Sequence, residues 1–212
     1  MTISQYIDHT NLKPTASVTD IHQLCEEAKK HQFKAVCVNG CHVKLAKKLL
    51  EHTQVKVAAV IGFPLGAMST KTKIFEAEDC IVQGADEIDM VINMGWLKSK
   101  LDTEVLNEIK AIKQVIGEKV LKVILEMCYL TTEEKERACN LAVLAGADFV
   151  KTSTGFGSGG ATFEDVILMK KVVGTKALIK ASGGIKDKET ALKYIELGVS
   201  RIGTSSGPSL LK

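Results

Sequence analysis

Three residues of this sequence pair a demanding residue type with a telling position: Asp89, Lys151 and Lys180. Lys151 sits in Phe149-Val150-Lys151-Thr152-Ser153-Thr154-Gly155 and Lys180 in Leu178-Ile179-Lys180-Ala181-Ser182-Gly183-Gly184. Each lysine interrupts a β-branched or apolar run that ends in small residues. Lysine is among the side chains least often buried. One such lysine could snorkel to a rim, but two at matching places call for a chemical reason. Two cations held together disfavour charge on both, and partial burial adds to this. A lysine that titrates near about 10.4 in water is thereby drawn toward about 7. In that state an amine attacks a carbonyl carbon and forms a Schiff base. In Glu87-Ile88-Asp89-Met90-Val91-Ile92-Asn93 the strand period places Asp89 opposite the apolar face of Ile88, Met90 and Ile92. It is either a satisfied structural carboxylate or a group that accepts and relays protons.

A second signal lies in three loops. Gly155-Phe156-Gly157-Ser158-Gly159-Gly160, Ser182-Gly183-Gly184 and Gly203-Thr204-Ser205-Ser206-Gly207 each follow a strand-like run, and the last opens a short helix around Ser206 to Leu211. Any one of them is explained by the needs of a tight turn. Together they offer clustered backbone N–H groups and a helix N-terminus, the arrangement that holds phosphate.

The elements that must carry these groups alternate. Short runs at Ala35 to Val38, Val57 to Ile61, Glu87 to Ile92, Val120 to Leu125, Phe149-Val150, Leu178-Ile179 and Arg201-Ile202 read as strands, with one more near Tyr6 to His9. Amphipathic stretches lie between them, such as Ile21, Leu24, Cys25 and Ala28 on one face, or Val105, Ile109, Ile112 and Ile116 on another. Thr19 and Asp20 are expected to open the first helix, and Thr131-Thr132-Glu133-Glu134 offers a capping box. Gly84, Gly146 and Gly198 stand where helices end and strands begin. They also mark a repeat, Gly84-Ala85-Asp86-Glu87-Ile88 against Gly146-Ala147-Asp148-Phe149-Val150 and more weakly Gly198-Val199-Ser200-Arg201-Ile202, spaced for two strand–helix units each. Eight strand–helix units without a linker imply one α/β domain over residues 1–212, a (β/α)₈ TIM barrel. A doubly wound open sheet is the alternative, but no Rossmann glycine fingerprint follows the first strand. In a barrel, chemistry collects at the carboxyl ends of the strands, where Lys151 and Lys180 fall.

Composition narrows the function further. The 212 residues are 45% hydrophobic and 25% charged, with 28 basic against 25 acidic residues, a net charge of +3. That balance is evenly spread and argues against a nucleic-acid partner. The pairs Lys29-Lys30, Lys47-Lys48 and Lys170-Lys171 read as solvated helix faces. No apolar run is long enough to span a membrane, and the N-terminus lacks a basic-then-apolar leader, so a cytoplasmic location is expected. The six cysteines form no C-x-x-C pair and read as small buried hydrophobes. Cys41-His42 has no second pair to complete a metal site, so no metal and no cofactor are expected.

At these residues the chain resembles the 2-deoxyribose-5-phosphate aldolase family, class I aldolases of the (β/α)₈ fold. The resemblance runs through Asp8-His9-Thr10-Asn11-Leu12, Gly62-Phe63-Pro64-Leu65-Gly66, Glu87 to Asn93, Lys151 to Phe156, Lys180 to Ile185 and Gly203 to Ser206, nearly the whole chain. It implies reversible cleavage of 2-deoxy-D-ribose 5-phosphate to glyceraldehyde 3-phosphate and acetaldehyde, in deoxyribonucleoside catabolism. Lys151 is then the Schiff-base lysine, Lys180 the neighbour that lowers its pKa, and Asp89 the proton-transfer carboxylate. The phosphate is expected on Gly155, Gly183, Gly184, Ser205 and Ser206, with Asp8, Thr10, Cys37 and Thr154 lining the pocket. A homo-oligomer, dimer or tetramer, is implied as well.

Two departures stand out. Some members carry a lysine after the Thr-Gly of the strand-six loop, where this chain has Phe156. Phosphate is then expected to rest more on backbone donors. Some longer members end in a tail with an assisting tyrosine, and this chain stops at Lys212, which leaves Asp89, Lys180 and a water as the expected relay. The rival readings are another Schiff-base phosphosugar aldolase, separated by its donor substrate, and a non-catalytic phosphosugar-binding barrel, separated by borohydride trapping.

Overall fold

The computed structural model describes residues 2–212. Eight parallel strands close into a barrel in chain order: β1 Ile7–Asn11, β2 Ala35–Asn39, β3 Lys56–Ile61, β4 Glu87–Val91, β5 Val120–Ile124, β6 Phe149–Lys151, β7 Leu178–Ser182 and β8 Arg201–Thr204. Closure is made by β8 pairing with β1, Ile7 opposite Ile202 and Asp8 opposite Gly203. The helices are α1 Val18–His31, α2 Val43–Leu49, α3 Thr70–Val82, α4 Met94–Lys98, α5 Asp102–Ile116, α6 Thr132–Leu144, α7 Phe163–Val173 and α8 Lys188–Glu196. The (β/α)₈ expectation holds with a local variation. The β4–α5 connection carries the extra helix α4, and the final helix is a 3₁₀ segment, Gly207–Leu211.

The main apolar core lies between strands and helices. Val36, Val38, Ile88, Met90, Leu121, Val123, Val150 and Ile179 turn outward beneath Ile21, Leu24, Val105, Ile109 and Val166. Parity therefore sends Asp89, Lys151 and Lys180 inward. Inside the barrel the apolar residues Cys37, Ala58 and Val60 cluster with Leu12 on the β2–β3 side. The rest of the interior holds the charged side chains together with Val91, Ile124 and Phe149, which share the parity of Asp89, Lys122 and Lys151.

The glycine repeat has a physical basis at the amino ends of the strands. Asp86 accepts the Val57 N–H at 3.0 Å while its own N–H donates to the Val57 carbonyl. Asp148 does the same for Leu121, at 2.8 Å through the carboxylate. Each aspartate therefore latches the strand it precedes to the one before it. In the weakest copy Ser200 keeps only the backbone bond, to Ile179. The capping box at Thr131 and Glu134 forms. The first helix begins earlier than expected, because Ser17 is the cap and Asp20 closes its box from the third helical position.

Candidate active site

The carboxyl ends of β1, β6, β7 and β8 surround an open cleft of about 430 Å³. Lys151 forms part of its floor. Its strand is only three residues long and then unwinds, but the ladder contacts continue through the loop. The Leu125 and Met127 N–H groups donate to the Lys151 and Thr152 carbonyls, and the Thr152 N–H donates to the Lys180 carbonyl. On the other side, Thr152 Oγ1 donates to the Ser182 carbonyl and accepts the Ser182 N–H. The backbone under Lys151 is thus held from both flanking strands, the kind of preorganisation a reactive side chain needs.

Behind Lys151 the barrel interior is an ionic cluster. Asp89 accepts from Lys151 at 2.8 Å, from Lys180 at 2.7 Å and from Lys122 at 2.7 Å. Lys180 also donates to Asp8 at 2.5 Å. Lys122 pairs with Glu87 at 2.5 Å, and Arg201 forks onto both Glu87 oxygens at 3.1 and 2.7 Å while its Nε reaches Asp8 at 2.6 Å. All seven groups are buried. Of the four cations only Lys151 lines the cleft. Lys122 was not anticipated as part of the site, nor were Glu87 and Arg201.

The charges answer to this packing. Burial pushes the Lys151 ammonium below the usual lysine range, Asp89 opposes, and Lys180 lowers it further. Lys180, whose charge the same proximity disfavours, moves the other way. Burial acts on it too, but Asp8 and Asp89 outweigh burial and hold it above the ordinary lysine value. Burial alone would raise Asp89, yet Lys122, Lys151 and Lys180 together keep it well below the usual carboxylate range. Asp8 is lowered in the same way, burial being outweighed by Arg201, Lys180 and Lys122.

Above Lys151, Thr154, Gly155, Gly183, Gly184 and Ser205 line the cleft together, and Thr10 joins them from β1. The β6 and β7 loops touch backbone to backbone. A Cβ on Gly160 would stand 2.3 Å from the Gly183 carbonyl oxygen, and one on Gly183 would stand 2.8 Å from Gly160 Cα at a φ of +89°. Only glycine fits both places. Three of the residues expected to hold the phosphate or line the pocket lie off the cleft surface. Asp8 is buried beneath it, engaged by Lys180 and Arg201. Cys37 is fully buried, and burial pushes its thiol up. Ser206 spends its N–H on Thr204 Oγ1, at 2.9 Å.

Two further features were missed. Glu126, at the end of β5, has a φ of +54°, and its carboxylate accepts both the N–H and the hydroxyl of Thr154. That fixes the start of the β6 loop. On the outer wall, His9 shares a hydrogen bond of 2.6 Å with Glu27 of α1. Phe156 is half exposed and packs edge-on against Phe63. Lys13 and Lys186 also line the cleft and bring it positive charge. Among the described residues no three His, Cys, Asp or Glu side chains are grouped to hold a metal ion, and no helix is long and apolar enough to cross a membrane.

Residues 2–211 match the model of the DeoC/LacD family of aldolases. A deoxyribose-phosphate aldolase of Finegoldia magna is 56% identical over 212 residues, covering all of both chains. Among solved structures, an aldolase called QR15 superposes with a TM-score of 0.95 at 44% identity, over 98% of this chain and 93% of that one. A deoxyribose phosphate aldolase of Aeropyrum pernix, described as a unique tetramer, superposes with a TM-score of 0.90 at 31% identity, over 99% and 89%.

Proposed function

The chain belongs to the DeoC/LacD family of aldolases, and from that premise we propose how its own residues carry the reaction. The enzyme is a carbon–carbon lyase that cleaves 2-deoxy-D-ribose 5-phosphate reversibly to D-glyceraldehyde 3-phosphate and acetaldehyde through a Schiff base. We assign the nucleophile to Lys151, because it alone joins the buried ionic cluster to the open cleft.

The neutral Lys151 amine adds to the aldehyde carbon of the open-chain sugar. Loss of water gives the protonated imine. The C2–C3 bond then breaks, its electron pair moves toward the iminium nitrogen, and the C3 hydroxyl loses a proton as the new aldehyde forms. Protonation of the enamine carbon and hydrolysis release acetaldehyde and return the free lysine. Asp89, with Lys180 and a water, carries these protons; Asp89 and Lys180 lie 2.7 Å apart. The sugar phosphate rests on the N–H groups of Gly155, Gly183, Gly184 and Ser205, with Ser206 at the edge of that cradle, and Thr10 and Thr154 orient the hydroxyls. Asp8 and Cys37 act from beneath the cleft.

The whole chain, 1–212, acts as one domain, in the cytoplasm and as a homo-oligomer. Exposed apolar side chains such as Phe75 and Val82 on α3 support association. Light scattering reads the last point; a monomer at working concentration sinks it. For the assignment of Lys151, borohydride is added to enzyme with acetaldehyde and the labelled peptide is mapped. The expected adduct is on Lys151; an adduct on any other lysine removes the assignment.

A further inference from the structure

The interior charges are connected in an order that the site chemistry does not require. From Asp89 the contacts run to Lys180 at 2.7 Å, to Asp8 at 2.5 Å, to Arg201 at 2.6 Å, to Glu87 at 2.7 Å, to Lys122 at 2.5 Å and back to Asp89 at 2.7 Å. This is a closed ring of alternating charge, three carboxylates and three cations, built from β1, β4, β5, β7 and β8. Every ring carboxylate lies between two cations and every ring cation between two carboxylates. The ring is neutral and complete without Lys151.

We propose that Glu87, Lys122 and Arg201, which do not reach the cleft, are positioning residues that close this neutral ring and so leave Lys151 as the one unmatched amine. The inference rests on the reading of Lys151 as the imine-forming lysine. Lys151 donates only to Asp89, and to the same oxygen, Oδ2, that Lys180 already occupies. Protonated, it would be a fourth cation against three buried carboxylates. Neutral, it keeps its hydrogen bond and leaves no uncompensated charge in a low-dielectric interior. Lys122 and Lys180 have no such freedom, since each is held by two carboxylates. Arg201 fixes one positive charge permanently, because a guanidinium does not deprotonate in proteins.

The other groups around Lys151 do not upset this count. Asp89 faces it from β4, Lys180 from β7, Lys122 from the deeper part of β5 and Asp8 from β1. Cys37 faces it from β2 with its thiol raised by burial and therefore neutral. Glu126, at the end of β5, is turned to Thr154. The ring thus decides which of three buried lysines gives up its proton, and the decision is made partly by residues that never meet substrate.

The test uses the sign of the charge. The rate of imine formation with acetaldehyde is followed against pH, by borohydride trapping, in wild type, Lys122→Met, Glu87→Gln and the double variant. Lys122→Met leaves the ring one charge negative, favours the Lys151 ammonium, and should move the rising limb up by about one pH unit. Glu87→Gln leaves it one charge positive and should move the limb down by a similar amount. The double variant is neutral again and should return close to wild type. Limbs that stay put, or that move in the same direction, overturn the ring. An adduct mapped to another lysine instead overturns the assignment of Lys151, so the two failures are distinct. Should the single variants not fold, ¹⁵N resonances of the lysine Nζ atoms in wild type give the same decision. Lys151 is expected to titrate while Lys180 stays charged; Lys180 losing its proton first, or together with Lys151, overturns the proposal.

Discussion

Buried lysines occur in two regions of the molecule, and the regions differ in how the charges are counted. Between α3 and α5, Lys73 donates to Glu108 at 2.7 Å and to the Val91 carbonyl at 2.8 Å. Inside the barrel, four cations share three carboxylates. Burial pulls Lys73 down against the opposing pull of Glu108, just as it pulls Lys151 down against Asp89. What differs is the partner. Glu108 belongs to Lys73, whereas Asp89 is already shared by Lys122 and Lys180. A paired buried lysine braces the fold, here by tying α3 and α5 to the exit of β4. A surplus one that also reaches a cleft is available for chemistry. Burial and a low pKa alone would not have told the two apart.

The largest effect that separates the regions is the loss of Lys151. Lys151→Ala removes the only cleft-lining amine of the cluster and leaves the neutral ring intact. Cleavage should fall by many powers of ten, since the covalent route is gone, while the melting temperature changes little. Steady-state kinetics with a thermal melt reads both. A variant with more than about one per cent of wild-type activity would point to a different lysine.

Lys73→Met should show the reverse pattern. It strands Glu108, which is buried, and removing one partner of a buried pair costs about 3–5 kcal/mol. Denaturant unfolding should register that loss. The pH dependence of imine formation should keep its position, because Lys73 is no part of the ring. A shifted limb would show the two ionic regions to be coupled through β4.

How much of this was legible follows from where the signals sit. The eight strands, Asp89, Lys151 and Lys180 could be read because apolar runs alternate with helical periods, and each lysine stands next to a small-residue loop. The boundaries shifted where capping decided them, as at Ser17, whose partner Asp20 was read as the opener. Lys122 was hidden by its neighbours, since Leu121-Lys122-Val123-Ile124 reads as a strand with one solvated residue. Its role depends on register, Asp89 standing opposite Lys122 across β4 and β5, and on a barrel closed so that one interior holds every inward side chain. Arg201 opposite Lys180 was hidden in the same way, at the start of a strand. Parity within one strand can be read locally, but the partner across the barrel cannot. Glu126 required a left-handed backbone that only the folded loop reveals.

Lys180→Leu gives a smaller effect, with a definite sign. Wild-type Lys180 is held charged by Asp8 and Asp89. Its loss leaves a net negative ring and favours the Lys151 ammonium. Because the neutral amine attacks, the rate rises as pH climbs through the Lys151 pKa, and the limb should move to higher pH. At neutral pH the rate falls about tenfold for each pH unit moved. Burial by the new leucine favours the neutral amine, but water from the cleft reaches the site, so the lost charge should prevail. A variant that is slow at every pH with its limb in place would show that Lys180 acts only through the proton relay with Asp89 and not by setting the Lys151 pKa.

The smallest expected effect comes from replacing both members of the structural pair. In Lys73→Met with Glu108→Leu no buried charge is left without a partner, and well-packed apolar replacements of buried pairs are often neutral. What remains is a backbone debt at the exit of β4. The Val91 carbonyl loses the Lys73 donor. An unsatisfied group of this kind costs about 1–3 kcal/mol when buried. The Ile92 N–H to Ile124 carbonyl bond still pairs the next residue and keeps the strand exit in place. The double variant should therefore be more stable than Lys73→Met alone, with wild-type pH dependence. A chemical-denaturation cycle over wild type, both singles and the double isolates the coupling. If the double is no better than Lys73→Met, the damage lies in the lost backbone contact rather than in a stranded charge. The contrast with the barrel interior, where the count of charges decides the outcome, would then not extend to this pair.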